Sequence, residues 1–449
     1  MARARFPPPD LLAYDQGRAR QRIMRRLLAL VLVALAGRTT AQDCSIVGQN
    51  QTVYQTLNEW YYWYKYLPPV SPATFADPEG LLDAVRYRPL DNTFSYITTA
   101  ASSQAYYGES QYLGFGFSMK FTVGYELRVT DVFPASPASE VGFDRGSEIL
   151  TLNGKSIQRT YEDGEWGTIW GGEEMGYSVD VTFKTLAGET KSGRLSKRVV
   201  TIPTVPLTTV QEAGGKKVGY IVFKNFVEPS YAALDAAFAQ LKAAGATELV
   251  LDLRYNGGGL VAVAQYLGGL IGGDRTSGEV FAQYIHNDKR SDRNNAIKFT
   301  RPASAFPLAR LVVITTRSSA SASELIINAL RPYLPVIVVG DNSYGKPVGQ
   351  YGFQVCQKML YAVSFSIRNS LGQGDYYDGF PPDCRAADDI THSLGDPGEA
   401  SLSAALSYLA TGACPAAASS LQAASDKSRP GPAIRAHAEN GWQALRVAY

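Results

Sequence analysis

The chain has 449 residues, 45% of them hydrophobic and 19% charged, which is long for one domain and too apolar for a mostly disordered polypeptide. Lys plus Arg number 43 against 41 Asp plus Glu, and eight of the Arg fall in residues 1–41, so the remainder is slightly acidic and lacks the basic face of a nucleic-acid binder. The three histidines, His286, His392 and His437, are far apart without ligand-like spacing, so no metal site is expected.

In chain order, Met24-Arg25-Arg26 precedes the apolar run Leu27 to Ala36, and Thr39-Thr40-Ala41 follows. A basic start, a short apolar core and small residues read as a secretory signal, with residues 1–23 as an upstream extension. The run is too short to span a bilayer, and no other stretch approaches ~20 apolar residues. A periplasmic or secreted location is expected, with no transmembrane span once the signal is removed. Four cysteines, Cys44, Cys356, Cys384 and Cys414, then suggest two disulfides in an oxidising compartment. Sequence leaves three pairings open; Cys356 with Cys384, leaving Cys44 with Cys414, is the preferred one.

Residues 42–107 form an aromatic-rich unit. Val53, Leu57, Tyr61 and Tyr64 fit one helix face, and Asp77-Pro78-Glu79 opens a second helical pattern. Residues 108–200 change to short strands and turns. Leu113-Gly114-Phe115-Gly116-Phe117 precedes an alternating strand, Tyr125–Val132, followed by Ser136-Pro137-Ala138 and Ile149 to Gly154. This order resembles a PDZ domain, although Gly146-Ser147-Glu148 stands where that family has Gly-Asp. The resemblance implies that residues 113–117 offer backbone N–H groups to a peptide's terminal carboxylate.

Residues 201–414 alternate strand and helix: Val218–Phe223, Pro229–Ala244, Glu248–Leu253, Leu260–Ile271, Leu311–Thr316, Leu325–Leu330 and Val336–Val339. The rhythm predicts a mainly parallel sheet, whose reactive groups collect beyond the carboxyl ends of the strands. Residues 415–449 form an Ala- and Ser-rich tail.

Two such loops carry chemistry. Asn256-Gly257-Gly258-Gly259 allows close backbone approach, and Ser319-Ala320-Ser321-Ala322-Ser323 puts hydroxyls at a helix start, where unpaired N–H groups gather. Read alone, the serines are helix caps and the glycines a turn. A serine nucleophile needs a base, and no His is near in sequence. Lys346 is available, provided burial lowers its pKa toward neutrality.

Ser319–Glu324, Gly345–Gln350 and Asp252–Gly259 together resemble the C-terminal processing peptidases, or tail-specific proteases. The resemblance implies an α/β architecture: a crotonase-like spiral β/α peptidase domain, an inserted or preceding PDZ domain and a small N-terminal helical unit. It implies Ser321 as nucleophile, Lys346 as general base and Gln350 as the residue holding that lysine. It also implies an oxyanion hole made by the N–H of Ala322 and that of a glycine of the 257–259 turn, with Gly258 the preferred one. Pro347 departs from the family's glycine after the lysine. The expected activity is an exported serine endopeptidase acting on polypeptides through an acyl-enzyme, without metal or organic cofactor. The alternatives are a catalytically inactive PDZ peptide-binding adaptor and a crotonase-like acyl-transfer enzyme.

Overall fold

The computed structural model describes residues 42–415 except 123, 125 and 307. The expected signal and nearly all of the expected tail lie outside the described residues. No described helix is long and apolar enough to cross a membrane.

Helix α1 (Ile46–Trp60) starts where Ser45 accepts the Gly48 N–H, and α2 (Pro78–Val85) where Asp77 accepts that of Gly80, with Pro78 in the first turn. These side chains satisfy N–H groups that a helix start leaves unpaired. Strand β1 (Tyr96–Thr99) and α3 (Ala100–Glu109) follow. The N-terminal unit does not keep a core to itself. Val53, Leu57, Tyr61, Leu81 and Leu82 pack with Val348, Leu360 and Val363, far along the chain.

Next comes a β unit with its own core. Strand β2 (Gln111–Gly114) pairs with β8 (Arg198–Thr201) as a separate ribbon. The main sheet has the order β3 (Phe117–Phe121), β4 (Leu127–Val132), β5 (Glu148–Leu152), β6 (Ser178–Lys184) and β7 (Thr190–Ser196), with Lys155–Ser156 on β5. Along β6, Val179, Val181 and Phe183 are buried in alternation with exposed or half-buried neighbours, the period of a half-buried strand. They meet Phe117, Phe143 and Trp170 inside the unit. The strand expected from Tyr125 begins at Leu127.

A six-stranded sheet runs β9 (Leu207–Ala213), β10 (Lys216–Val222), β11 (Glu248–Asp252), β14 (Leu311–Thr315), β15 (Val336–Gly340) and β18 (Cys384–Arg385), parallel from β10 onward. Every residue of β11 and β14 is buried, as expected when helices cover both faces. Leu249, Leu251, Leu311 and Val313 face the core beneath α4 (Ser230–Ala244), α5 (Val261–Gly272) and α6 (Ala322–Leu330). Val250, Val312 and Ile314 face the opposite side, under Leu402, Ala405 and Leu409 of α7 (Ala400–Thr411). Each such side chain contributes roughly 1.5–3 kcal/mol through burial. The expected βαβ rhythm is therefore present, with boundaries shifted by a few residues at most.

A second sheet was not foreseen. Strands β12 (Val280–His286), β13 (Asn295–Lys298), β16 (Val348–Val355) and β17 (Lys358–Arg368) join β1 in an antiparallel array centred on β17. This array connects the N-terminal unit to the parallel sheet.

The disulfides are Cys44–Cys356 and Cys384–Cys414, which corrects the preferred pairing. Cys356 lies in the β16–β17 turn, and that hairpin shares a core with α1, just after Cys44. Cys384 lies on β18, and Cys414 follows α7, which packs on the same sheet.

Candidate active site

Strands β11, β14 and β15 are neighbours and parallel, so the loops leaving their carboxyl ends emerge side by side. These are the triglycine loop, the serine loop and the lysine loop. Topology alone thus brings together segments up to about ninety residues apart.

In the serine loop, Ser319 Oγ donates to Leu253 O at 2.7 Å and Ser323 Oγ to Asn256 O at 2.8 Å. Both serines are buried, and their hydroxyls tie the loop to the chain that follows β11. Ser321 differs. Its φ of 56° and ψ of −112° lie in a region a side chain rarely adopts, at a cost of roughly 1–3 kcal/mol. Ala322 begins α6, where helix geometry gives its N–H no intrahelical partner.

The triglycine loop approaches this turn so closely that only glycine fits at position 258. A Cβ there would lie 2.8 Å from the Ala322 nitrogen and 2.9 Å from Ser321 Cβ, and its φ is +101°. The Gly258 N–H donates to Asn256 Oδ1 at 2.9 Å, so in this state it is directed to that side chain. Asn256 is itself buried, with Nδ2 donating to Phe223 O.

Lys346 is buried at 5% exposure. Its Nζ donates to Gln350 Oε1 at 2.6 Å and lies 5.5 Å from the centroid of the Phe94 ring. Gln350 Nε2 donates to the carbonyls of Phe94 and Tyr361, which fixes Oε1 toward the lysine. Phe94 comes from the N-terminal unit, so that unit forms a wall of the lysine site.

Glu324 joins the two halves. One carboxylate oxygen accepts the N–H of Ser321 (2.9 Å) and of Lys346 (2.8 Å); the other accepts the Gly345 N–H and the Ser343 hydroxyl, both at 2.6 Å. Burial pushes the Glu324 carboxyl above its ordinary pKa, against the pull of these donors, of which Ser343 is the strongest. The sequence reading included Glu324 in a motif without giving it a role. Its position three residues after Ser321, at a helix start, was the available signal.

Below the triglycine loop, buried Arg254 bridges Asp252 (2.6 Å) and Glu399 (2.8 Å). Tyr255, held at φ 63°, donates to the Asp388 carboxylate at 2.6 Å. Asp388 also pairs with Lys120 and Arg145 of the β unit. These ion pairs fasten the β unit beside the triglycine loop.

Of the residues expected to bind peptide, Phe115 and Phe117 point into the core of the β unit. Leu113 and Gly114 pair with Val199 and Arg198. The Gly116 N–H donates to the Tyr112 hydroxyl at 3.1 Å. A cavity of about 670 Å³ extends between this region and the triglycine loop, bordered by Leu113 and by Gly257.

Fold and site together define a mixed α/β protein in which a strained helix-start serine lies against a glycine turn and a buried glutamate ties its backbone to that of a buried lysine. Peptidase family S41 matches residues 217–384, and the peptidase S41 N-terminal domain matches residues 48–96. Both matches are to peptidase family S41, in line with the resemblance read from the sequence. The chain is 27% identical over 234 residues to the chloroplastic C-terminal processing peptidase of Tetradesmus obliquus, covering 50% of this chain and 48% of that protein. It is 28% identical over 247 residues to the carboxyl-terminal-processing protease of a Picosynechococcus strain, covering 54% of this chain and 56% of that one. The chain thus spans about half the length of the curated relatives it matches. A crystal structure described as an S41 protease from Bacteroides fragilis superimposes with a TM-score of 0.63 at 26% identity, over 80% of this chain and 97% of the other.

Proposed function

We propose that this chain is an exported serine endopeptidase that cleaves polypeptides with Ser321 as nucleophile and Lys346 as general base. The observation that carries the reading is the Glu324 carboxylate, which holds the backbone N–H groups of Ser321 and Lys346 on a single oxygen. Such a clamp gives the two side chains a fixed relation, which an intramolecular proton transfer requires.

In the proposed reaction, neutral Lys346 Nζ takes the proton from Ser321 Oγ as Oγ bonds to the peptide carbonyl carbon. The resulting oxyanion meets the Ala322 N–H at the start of α6, aided by the helix dipole. The second donor is the Gly258 N–H, after it exchanges Asn256 Oδ1 for the oxyanion. The C–N bond then breaks, and the Lys346 ammonium returns its proton to the leaving nitrogen. Water, deprotonated by the same amine, attacks the acyl-enzyme and releases the acid with Ser321 restored. Gln350 Oε1 holds the amine throughout.

The β unit, residues 108–200, is read as a PDZ domain that captures substrate C-termini, and residues 201–414 as a spiral, crotonase-like peptidase domain. Two disulfides support export to an oxidising compartment.

The test is digestion of an unfolded protein by the unmodified chain and by Ser321→Ala, with product ends identified by mass spectrometry. Labelling by a serine-directed fluorophosphonate runs alongside. New peptide ends and a label on Ser321, both absent from the variant, are expected. A chain that binds peptide without label or cleavage is an adaptor, and the peptidase reading is then wrong.

A further inference from the structure

The chain between α2 and β1, residues 86–95, forms neither helix nor strand, so no ladder of backbone hydrogen bonds fixes it. One side chain takes that part instead. Asp91 is fully buried, and its carboxylate accepts the Ser95 N–H at 2.9 Å, the Ser95 hydroxyl at 2.6 Å and the Tyr61 hydroxyl at 2.8 Å. Burial, and after it the Asp91 charge, push the Tyr61 pKa up, so that hydroxyl stays a donor. It accepts the Tyr87 N–H in turn. The carboxylate thus clasps both ends of the segment 91–95 and anchors it to the residue that ends α1.

Burying a carboxylate is costly, and the three donors here are neutral groups. Arg86, earlier in the segment, is engaged with Asp83 and with the Ser95 carbonyl. For stability alone, apolar packing serves as well as a buried charge. What a fully hydrogen-bonded buried network adds is a fixed local geometry.

The clasped segment turns its groups toward the lysine site. The Phe94 carbonyl accepts from Gln350 Nε2, and the centroid of the Phe94 ring lies 5.5 Å from Lys346 Nζ. The Thr93 hydroxyl meets that of Tyr344 at 3.2 Å, and the Phe94 and Tyr344 rings stand edge to face with centroids 6.0 Å apart. The Ser95 hydroxyl accepts the Val363 N–H of β17 at 3.0 Å.

We propose that Asp91 is a positioning residue for the general base: its clasp on Ser95 holds Phe94 and, through the Phe94 carbonyl, Gln350 against the Lys346 amine. The inference rests on the peptidase reading and deepens it. It gives the N-terminal unit a part in the chemistry, that of keeping the amine oriented and shielded from water.

The test reads the amine itself. On the full chain carrying Ser321→Ala, trace acetylation of Lys346 by acetic anhydride is followed by peptide mass spectrometry, with the exposed Lys184 as internal reference. Adding Asp91→Asn, which turns an NH₂ group toward one of the three donors, should speed acetylation of Lys346 by about tenfold or more. That is the opening which loss of a hydrogen bond to a charged group allows. Adding Ser95→Ala instead should do the same, because it breaks the clasp and keeps the Asp91 charge. With Ser321 intact, either variant should lower kcat for peptide cleavage by about tenfold and leave KM little changed, less than a full ångström-level misplacement costs. Unchanged acetylation in a folded Asp91→Asn overturns the proposal. A rise that Ser95→Ala does not share also overturns it, since the carboxylate then acts on the amine only as a charge. So does a loss of activity carried by KM alone. If Asp91→Asn does not fold by circular dichroism, Ser95→Ala decides on the same readings. Acetylation is read without catalysis, so a chain whose amine opens in both variants but which never cleaves peptide fails the peptidase reading alone.

Discussion

The serine side and the lysine side of the site are supported in different ways. Around Ser321 the support is local to one parallel sheet: two buried serine hydroxyls on neighbouring carbonyls, a glycine pressed against the turn, and a strained backbone. Around Lys346 it is assembled from distant segments: Phe94 from the N-terminal unit, Gln350 from β16 and the Tyr361 carbonyl from β17. Ser321 is thus positioned by secondary structure, whereas the Lys346 amine depends on tertiary docking of the N-terminal unit. Substitutions on the two sides should fail in different ways.

The largest effect is expected where the two sides meet in chemistry. Lys346→Arg retains a cation but supplies no neutral amine, since a guanidinium stays protonated. Peptide cleavage by Lys346→Arg should fall by about 10³-fold or more, to the level of Ser321→Ala, and the double variant should be little worse because the pair acts as one unit. Substituting His286 or His392 with Gln should leave most activity. An active Lys346→Arg beside a dead histidine variant would give the base role to histidine.

Glu324→Gln probes the clamp between the sides. Four donors converge on the carboxylate, and a carboxamide turns an NH₂ group toward some of them. The loops should shift apart, with kcat falling by about 10²-fold, the scale of an ångström-level misplacement, and KM little changed. Fluorophosphonate labelling of Ser321 should slow in parallel. A normal kcat in a folded Glu324→Gln would show that the clamp is not needed for the chemistry.

The glycine side also has an electrostatic footing that acid should loosen. Burial alone would raise the Asp388 pKa, but Lys120, then Arg254 and Arg145, hold it well below the ordinary carboxylate value. A carboxyl depressed in the folded state gives stability that is present above its unfolded pKa and lost as pH falls through the folded one. Thermal midpoints should therefore drop as pH is taken below about 4, the unfolded aspartate value. Asp388→Asn should be less stable at neutral pH, by about 3 kcal/mol for an orphaned buried partner, with a flatter acid limb. Parallel acid limbs in the two proteins would assign the acid sensitivity to other carboxyls, such as Asp252, which Arg254 also holds low against burial.

The contrast between the sides also explains what could be read from sequence. Strands β11 and β14 are buried on both faces, so their apolar runs are unbroken, and the glycine and serine loops follow them directly. The serine side is written in contiguous residues. On the lysine side, Lys346 and Gln350 are picked out by the family resemblance of the segment they share, but nothing local points to Phe94, roughly 250 residues earlier. The same holds for the Cys44–Cys356 disulfide, which closes a separation of 312 residues, and for Glu399 on Arg254. Each is set by how the antiparallel sheet and α7 dock, a property of the tertiary fold that no short window encodes.

The smallest expected effect concerns Gln350 and sharpens the lysine side most. Its Nε2 is spent on two carbonyls and its Oε1 on Lys346, so its polar atoms are engaged in orienting the amine. Gln350→Ala removes that orientation but leaves the amine in its buried setting beside Phe94, and a loss of about tenfold in kcat is expected, near the low end for misplaced catalytic groups. Gln350→Glu tests the contact itself. A carboxylate at this distance favours the ammonium over the neutral amine, so the rising limb of the pH–activity profile should move to higher pH, with part of the lost activity recovered on the alkaline side. Gln350→Ala introduces no charge and should show no such movement. If the Gln350→Glu profile stays where the unmodified chain has it, the group that titrates in that limb is not the amine on Gln350, and the base must be sought on the serine side instead.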